Sequence, residues 1–276
     1  MSVIYTIRRN LMYPYDILPG IDLYVICIAL AAVTAILSFS KLADVANIRG
    51  KVQNMSIYTA IAAIVVGYGS AVLFQAFYNM LEDGIFSLDS GTGATFYGGL
   101  IGGVAGFILI YFIFGKFTFN DDSYVKQFGL IANVAPASIT IAHSIGRIGC
   151  LMAGCCYGAK TDAWYGIKMQ NLGYKIVPTQ LFEAIFLALL FALFVYRICK
   201  GKGYNLPIYM ISYAVWRFFA EYMRNDDRGE TVVSFLTPSQ LIALLMVAGG
   251  VVLFIIMKKL DSKKKKAISA EDTPDE

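Results

Sequence analysis

Seven stretches of the chain are apolar over a length that can cross a lipid bilayer. The hydrocarbon core of a bilayer requires about 20 apolar residues per helix. Stretches of about this length cover residues 22–39, 57–81, 95–115, 127–145, 179–198, 205–224 and 236–257. The chain is 58% hydrophobic and only 15% charged, whereas soluble domains contain about 25% charged residues. We therefore predict an all-α integral membrane protein with seven transmembrane helices.

The distribution of positive charge predicts the orientation of these helices, because the cytoplasmic ends of membrane helices carry an excess of Lys and Arg. In the seven-span arrangement, 14 of the 23 Lys and Arg residues fall on one side. They are Lys41, Arg49, Lys51, Lys116, Lys126, Arg197, Lys200, Lys202, Lys258, Lys259 and Lys263 to Lys266. We therefore predict a cytoplasmic C-terminus and an N-terminus outside. The outer connections are then residues 82–94, 146–178 and 225–235.

The predicted domain organisation is one seven-span membrane domain over residues 1–260, followed by a charged cytoplasmic tail at 261–276. Residues 1–20 are expected to form an interfacial segment and not a cleaved signal peptide, because polar and aromatic residues stand where a signal peptide has its apolar stretch. The outer connection 146–178 is the longest, and long connections often carry function. No continuous basic face accompanies the net charge of +4, so nucleic acid is not an expected partner.

The start of this outer connection has the most unusual composition in the chain. Residues 143–158 combine His143, Arg147, three cysteines and four glycines. His143 and Arg147 are one helical turn apart and share a face if the helix continues, and glycine permits close backbone approach. This composition suits a phosphate group. The alternative is that Arg147 is an interfacial anchor and the cysteines are small packing residues.

The cysteines allow a second interpretation. Cys150, Cys155 and Cys156 could bind zinc together with His143, or exchange thiols. Their C-x4-C-C spacing, however, lacks the paired C-x2-C of common zinc sites. The spacing therefore argues against zinc, and we expect neither a metal nor a cofactor.

Three further ionisable residues, Glu183, Arg217 and Glu221, lie within apolar stretches. Each would cost about 2.5–3.5 kcal/mol at the centre of a membrane helix if it were unpaired. Arg217 and Glu221 can pair at i and i+4, and Glu183 can pair with Arg147. Either these groups form a structural ion network, or they line a polar cavity open to the outer leaflet. We favour the cavity.

Glycines open the third apolar stretch, in the segment from Thr95 to Gly106. Their small-xxx-small spacing is typical of membrane helices that pack backbone to backbone. That spacing does not explain Tyr97, whose phenol is expected at the outer mouth of the cavity.

Taken together, these segments resemble the prolipoprotein diacylglyceryl transferase family. The resemblance is carried by Tyr24 at the entry to the first stretch, Tyr97 to Gly102, Gly146 to Gly158, Pro178 to Glu183, and Arg217 to Glu221. It implies a bacterial plasma membrane enzyme that transfers diacylglycerol from phosphatidylglycerol to the lipobox cysteine of a prolipoprotein. The implied partners are phosphatidylglycerol, prolipoprotein signal peptides and membrane lipids.

The resemblance also implies roles for individual residues. Arg147 and Arg217 would hold the phosphate of the lipid. The other implied substrate-binding residues are Tyr24, Gly98, Gly99, Gly146, Gly158, Glu183 and Glu221. Many members of the family have histidine at the position of Tyr97, asparagine at that of Cys150 and glutamate at that of Cys155.

The general base of this reaction has more than one candidate. His143 is the first, because an unperturbed histidine has a pKa of about 6.5. Tyr97 would instead orient the lipid or the thiol by a hydrogen bond, and the field of the two arginines could by itself favour the thiolate. Two other functions stay open: a family member that binds phosphatidylglycerol without catalysis, and a small-solute transporter. The absence of an internal repeat argues against the transporter.

Overall fold

The computed structural model of the protein describes residues 22–84, 86–89, 92–169, 172–224 and 235–271. In these ranges the chain forms seven α-helices: α1 Leu23–Val45, α2 Gly50–Asp83, α3 Phe96–Thr118, α4 Ser123–Met152, α5 Thr179–Cys199, α6 Asn205–Ala220 and α7 Pro238–Glu271. The predicted interfacial segment 1–20, residues 225–234 of the last outer connection and the end of the tail at 272–276 lie outside the described residues.

Six of these helices, all except α6, are long and apolar enough to cross a membrane. This is the architecture of a multi-pass membrane protein. The predicted span 205–224 coincides with α6 and the 3-10 turn Glu221–Met223 that follows it. Because α6 has 16 residues, fewer than the about 20 that a bilayer core requires, the count of seven crossings stays a prediction.

Helix α4 continues past the predicted span 127–145 and ends at Met152. The condition under which His143 and Arg147 share a helix face is therefore met. After the helix, Gly154 has a φ of 65°, a left-handed conformation that glycine adopts without steric cost. The chain turns back at this point, and the amide of Cys155 donates to the carbonyl of Cys150 at 3.1 Å.

A short hairpin lies between α4 and α5. Strands β1 Ile167–Lys168 and β2 Lys175–Ile176 are antiparallel, with Ile167 opposite Ile176 and Lys168 opposite Lys175. The buried side chains of Leu151, Met169 and Ile176 pack together. The hairpin is thereby fixed to the last turn of α4.

The chain divides into two compact units, residues 1–42 with 132–276 and residues 43–131. In the second unit, α2 and α3 pack at their glycines: a Cβ on Gly67 would lie 3.0 Å from the Gly99 carbonyl oxygen, and a Cβ on Gly106 would lie 2.9 Å from Val66. The predicted glycine-mediated helix packing is confirmed.

In the first unit, side-chain contacts set the positions of α4, α5 and α6. The Ser144 hydroxyl donates to the Ala184 carbonyl at 2.8 Å, which joins α4 to α5. The rings of Phe186 and Trp216 stack at 4.7 Å between α5 and α6. Buried Asn205 donates its backbone amide to the Asn133 side chain at 3.0 Å. Each of the first two contacts lies next to a predicted site residue.

Candidate active site

Buried Glu183 on α5 is the centre of a polar cluster. Its Oε2 lies 2.8 Å from Nη2 of Arg147, and its Oε1 lies 3.5 Å from Nε2 of His143. The Tyr213 hydroxyl on α6 donates to the same Oε1 at 3.0 Å. A carboxylate buried to this degree requires such partners to offset its lost hydration. The predicted pairing of Glu183 with Arg147 is confirmed.

The guanidinium of Arg147 is not fully satisfied by this cluster. Its Nη2 contacts both carboxylate oxygens of Glu183. Its Nε is buried and has no hydrogen-bond partner among the residues that the structure describes. A buried donor without an acceptor costs about 1–3 kcal/mol. An oxygen of a bound anion at this position would remove that cost.

A second ion pair lies at the end of α6. Nη2 of Arg217 is 2.8 Å from Oε2 of Glu221, at i and i+4, and it also donates to the Ser239 hydroxyl on α7 at 2.9 Å. The predicted pairing of Arg217 with Glu221 is confirmed. Tyr213, which contacts Glu183, is one turn before Arg217 on the same helix. Helix α6 therefore carries Tyr213, which belongs to the cluster around Glu183, and Arg217, which belongs to the second ion pair.

The loop after α4 packs against the turn that follows α6. The Ala159 amide donates to the Met223 carbonyl at 2.9 Å. Gly158 permits this approach, because a Cβ there would overlap the Met223 carbonyl oxygen and lie 2.8 Å from Cγ2 of Thr179. Close packing thus accounts for glycine at this position, and its role in substrate binding stays a prediction.

Three side chains hold the two carbonyls of the adjacent cysteines. The Cys156 carbonyl accepts hydrogen bonds from the Thr179 hydroxyl at 3.0 Å and from Arg224 at 3.2 Å. The Cys155 carbonyl accepts one from the side-chain amide of buried Gln180. The loop is therefore fastened both to the start of α5 and to the residue that follows the 3-10 turn.

The thiols of this loop gather at the end of α4. The Sγ atoms of Cys150, Cys155 and Cys156 lie within 4.8 Å of one another. A hydrogen bond from the Cys150 thiol lowers the pKa of Cys156 to about 5; burial opposes this effect, while Cys155 and the charges of Arg147 and Arg224 reinforce it. The positive charges of Arg147 and Arg224 therefore act on the Cys156 thiol.

Residues 16–256 match the sequence model of the family described as prolipoprotein diacylglyceryl transferase. The chain belongs to this family. A phosphatidylglycerol–prolipoprotein diacylglyceryl transferase 2 of Clostridium perfringens is 35% identical over 207 residues, which cover 72% of this chain and 76% of that protein. A phosphatidylglycerol–prolipoprotein diacylglyceryl transferase of Clostridium tetani is 32% identical, over 71% of this chain and 77% of that protein. One of the same name from Dehalococcoides mccartyi is 30% identical, over 71% and 75%.

Within this transferase fold, two further predicted residues, Gly146 and Tyr24, lie on or against the last turns of α4. A Cβ on Gly149 would lie 2.9 Å from Cβ of Cys27 and 3.4 Å from the ring of Tyr24, so α1 packs against α4 near Tyr24. A Cβ on Gly146 would meet no atom within 4 Å. The space beside Gly146 is therefore open on the turn that carries Arg147.

The remaining predicted residues of the transferase, Tyr97, Gly98 and Gly99, lie in the first turn of α3 in the second unit. A Cβ on Gly98 would lie 2.5 Å from Cβ of Phe74, so helix packing already requires glycine there. The roles of these three residues in substrate binding and catalysis stay predictions.

Sequence reasoning missed four polar residues of the first unit: Gln180, Tyr213, Arg224 and Ser239. Tyr213 precedes Arg217 by one helical turn, a spacing that could have identified it. Arg224 is a cation at the last residue of the predicted span 205–224, which is also a usable signal. Gln180 and Ser239 are ordinary residues of apolar segments, and only their contacts reveal them.

Proposed function

We propose that this chain transfers the diacylglyceryl group of phosphatidylglycerol to the lipobox cysteine thiol of prolipoproteins. Relatives that are 30–35% identical over most of the chain are named for this reaction. The observation that carries the proposal is the state of Arg147. Its guanidinium is held in place by Glu183, yet its buried Nε has no acceptor among the described residues. A lipid phosphate supplies that acceptor.

The reaction is a displacement at the glyceryl carbon of the lipid. The thiolate sulfur forms a bond to that carbon, the bond from the carbon to the phosphate oxygen breaks, and glycerol phosphate leaves with the electron pair. Negative charge therefore grows on the phosphate in the transition state. Arg147 and Arg217 stabilise it, because a guanidinium binds phosphate with directed, charge-assisted hydrogen bonds.

The glutamates position the two arginines. Glu183 fixes the guanidinium of Arg147 through both of its oxygens, and Glu221 holds Arg217. Groups oriented before the substrate arrives lose no binding energy to reorganisation. Tyr24, Gly146 and the other predicted substrate-binding residues complete the site in this proposal.

His143 is the proposed general base for the thiol proton. Its Nε2 faces Oε1 of Glu183 at 3.5 Å, and its ring lies 5.4 Å from that of Tyr213. A carboxylate beside one ring nitrogen fixes the orientation of the imidazole, and the other ring nitrogen can then accept the proton. Tyr97 orients the lipid or the thiol in the same proposal.

The protein is proposed to lie in the bacterial plasma membrane with seven crossings, its N-terminus outside and its C-terminus in the cytoplasm. The supporting observation is that 14 of the 23 Lys and Arg residues fall on one side of the seven-span arrangement. The cytoplasmic ends of membrane helices carry such an excess. The polar site then opens towards the outer leaflet, where a secreted prolipoprotein presents its signal peptide.

The test is a transfer assay with purified protein, labelled phosphatidylglycerol and a lipobox peptide. We expect a thioether-linked product, and we expect its loss in Arg147→Gln and Arg217→Gln. Arg49→Gln is the matched control, because Arg49 is an exposed arginine whose partner Asp121 is also exposed. An intact product in either site variant would contradict the assignment. Lipid binding without product in the wild type would instead support a family member that binds phosphatidylglycerol but does not catalyse transfer.

A further inference from the structure

Three thiols lie close enough to Arg147 for its charge to act on them, and they have no part in the proposed mechanism. Cys150 lies in the last turn of α4, and Cys155 and Cys156 lie in the loop that turns back from it. All three Sγ atoms are within 4.8 Å of one another. We name these residues the three-thiol cluster.

The backbone of the loop is held so that it brings these thiols together. Cys156 has a φ of 60°, a left-handed conformation that is uncommon outside glycine. Its carbonyl is fixed by Thr179 and Arg224, and the carbonyl before it is fixed by Gln180. The surrounding structure therefore determines a conformation that the loop would not prefer by itself.

The geometry of the cluster suits a soft divalent metal ion. Zinc binds thiolate sulfur at about 2.3 Å with tetrahedral geometry, which places neighbouring sulfurs about 3.8 Å apart. The sulfurs would have to approach by no more than about 1 Å to reach this spacing. Arg147 and Arg224 act electrostatically on Cys156, and they would offset the single negative charge of a zinc ion with three thiolates.

The cluster provides three protein ligands. In the described part of the chain, no fourth His, Cys, Asp or Glu belongs to the group. Structural zinc sites are closed by four protein ligands, whereas catalytic sites have three and keep one position for water or substrate. Three ligands therefore indicate a site that accepts a fourth ligand from outside.

We propose that Cys150, Cys155 and Cys156 bind one zinc ion whose fourth position takes the thiol of the incoming lipobox cysteine. The second half of this statement rests on the proposed transferase function. A thiol that coordinates zinc loses its proton, here to His143, the proposed general base. The coordinated sulfur then forms its bond to the glyceryl carbon, the bond from carbon to phosphate oxygen breaks, and the neutral thioether leaves the ion.

The spacing of these cysteines by itself argues against a zinc site. C-x4-C-C does not have the paired spacing of common zinc sites. A continuous helix would also place Cys150 and Cys155, five residues apart, on different faces. The turn at Gly154 and Cys156 changes this, since it returns the chain to Cys150. The proximity therefore comes from the fold of the loop.

Metal binding is tested on the full chain, purified in detergent without a polyhistidine tag and kept reduced. We expect one zinc ion per chain by elemental analysis. After zinc removal, we expect Co²⁺ to produce a thiolate-to-cobalt charge-transfer absorbance. Cys155→Ser and Cys156→Ser should each lose the ion and the absorbance, while Cys199→Ser, a thiol outside the cluster, should keep both. Cys155 and Cys156 are exposed, so these variants should fold.

The fourth position is tested with the cobalt-loaded protein. A lipobox peptide should increase the charge-transfer absorbance, and the same peptide with serine in place of cysteine should not. Failure of zinc and cobalt to bind the reduced wild type would overturn the proposal, as would equal binding by Cys155→Ser, Cys156→Ser and Cys199→Ser, or equal responses to the two peptides. Because metal content is measured without lipid, its outcome is independent of the transfer assay. Zinc-loaded protein that forms no thioether would overturn the transferase function alone.

Discussion

Arg147 and Glu183 form a buried pair, so the losses of unfolding free energy caused by replacing each of them should not be additive. Their side chains are only 17% and 4% exposed, and removal of one partner from a buried pair costs about 3–5 kcal/mol. We expect Glu183→Gln to cost about 3 kcal/mol, near the lower limit of that range, because Arg147 retains some contact with solvent. The double variant Arg147→Gln/Glu183→Gln removes both charges and should recover about 2 kcal/mol of the summed single losses.

The measurement is reversible unfolding in mixed micelles, followed by circular dichroism, for the wild type, both single variants and the double variant. The matched control is the same cycle on Arg49 and Asp121, whose side chains are 48% and 58% exposed, and there we expect no measurable coupling. Losses for Arg147 and Glu183 that add to within about 0.5 kcal/mol would refute the reasoning, because independent charges cannot form the positioned pair that the site requires.

Four further substitutions separate catalysis from packing. Gly146→Ala should not lower thermal stability, since its Cβ meets no atom within 4 Å and alanine is the better helix former, but should slow transfer if the lipid occupies that space; an unchanged rate would remove Gly146 from the site. Gly158→Ala should lower the unfolding temperature, because its methyl would overlap the Met223 carbonyl, and unchanged stability would show that the loop packs differently. His143→Gln should abolish the rise of transfer rate with pH around neutrality that a general base produces, whereas Tyr97→Phe should keep it; a retained rise in His143→Gln eliminates His143 as the base.

Most of the helices could be predicted from the sequence, because the length and apolarity of a stretch are enough to identify a membrane helix. The glycine spacing likewise predicts close packing of α3 on a neighbouring helix, and Gly99 and Gly106 lie at its contact with α2. Helix α6 is the instructive exception. Its apolar stretch continues through residue 224, but the α-helix ends at Ala220 and a 3-10 turn follows. Composition does not encode that change.

The ion pairs were predictable for a related reason. A charge in an apolar segment needs a partner, and few candidates exist: Glu221 lies one turn from Arg217, and Glu183 is matched by Arg147. The hydroxyl groups of Tyr213 and Ser239 were not predictable as partners. Burying a neutral hydroxyl costs much less than burying a charge, so their presence in an apolar segment does not by itself require a partner.

The three-thiol cluster shows where spacing rules fail. Such rules assume that ligands close in sequence meet through regular structure. Here Gly154 and Cys156 adopt left-handed backbone conformations that reverse the chain. Hydrogen bonds from α5 and from the Arg224 side chain hold the turn. These partners are distant in sequence, so only the folded chain reveals the cluster.

The substitution Arg147→Lys tests the central claim most directly. Lysine keeps the positive charge beside Glu183 but has neither the planar guanidinium nor the buried Nε that would meet a phosphate oxygen. In the assay with labelled phosphatidylglycerol and a lipobox peptide, we expect thioether formation to fall by at least about 100-fold, while Arg49→Lys matches the wild type. A rate for Arg147→Lys equal to that of the wild type would contradict the claim that Arg147 binds the lipid phosphate through its Nε.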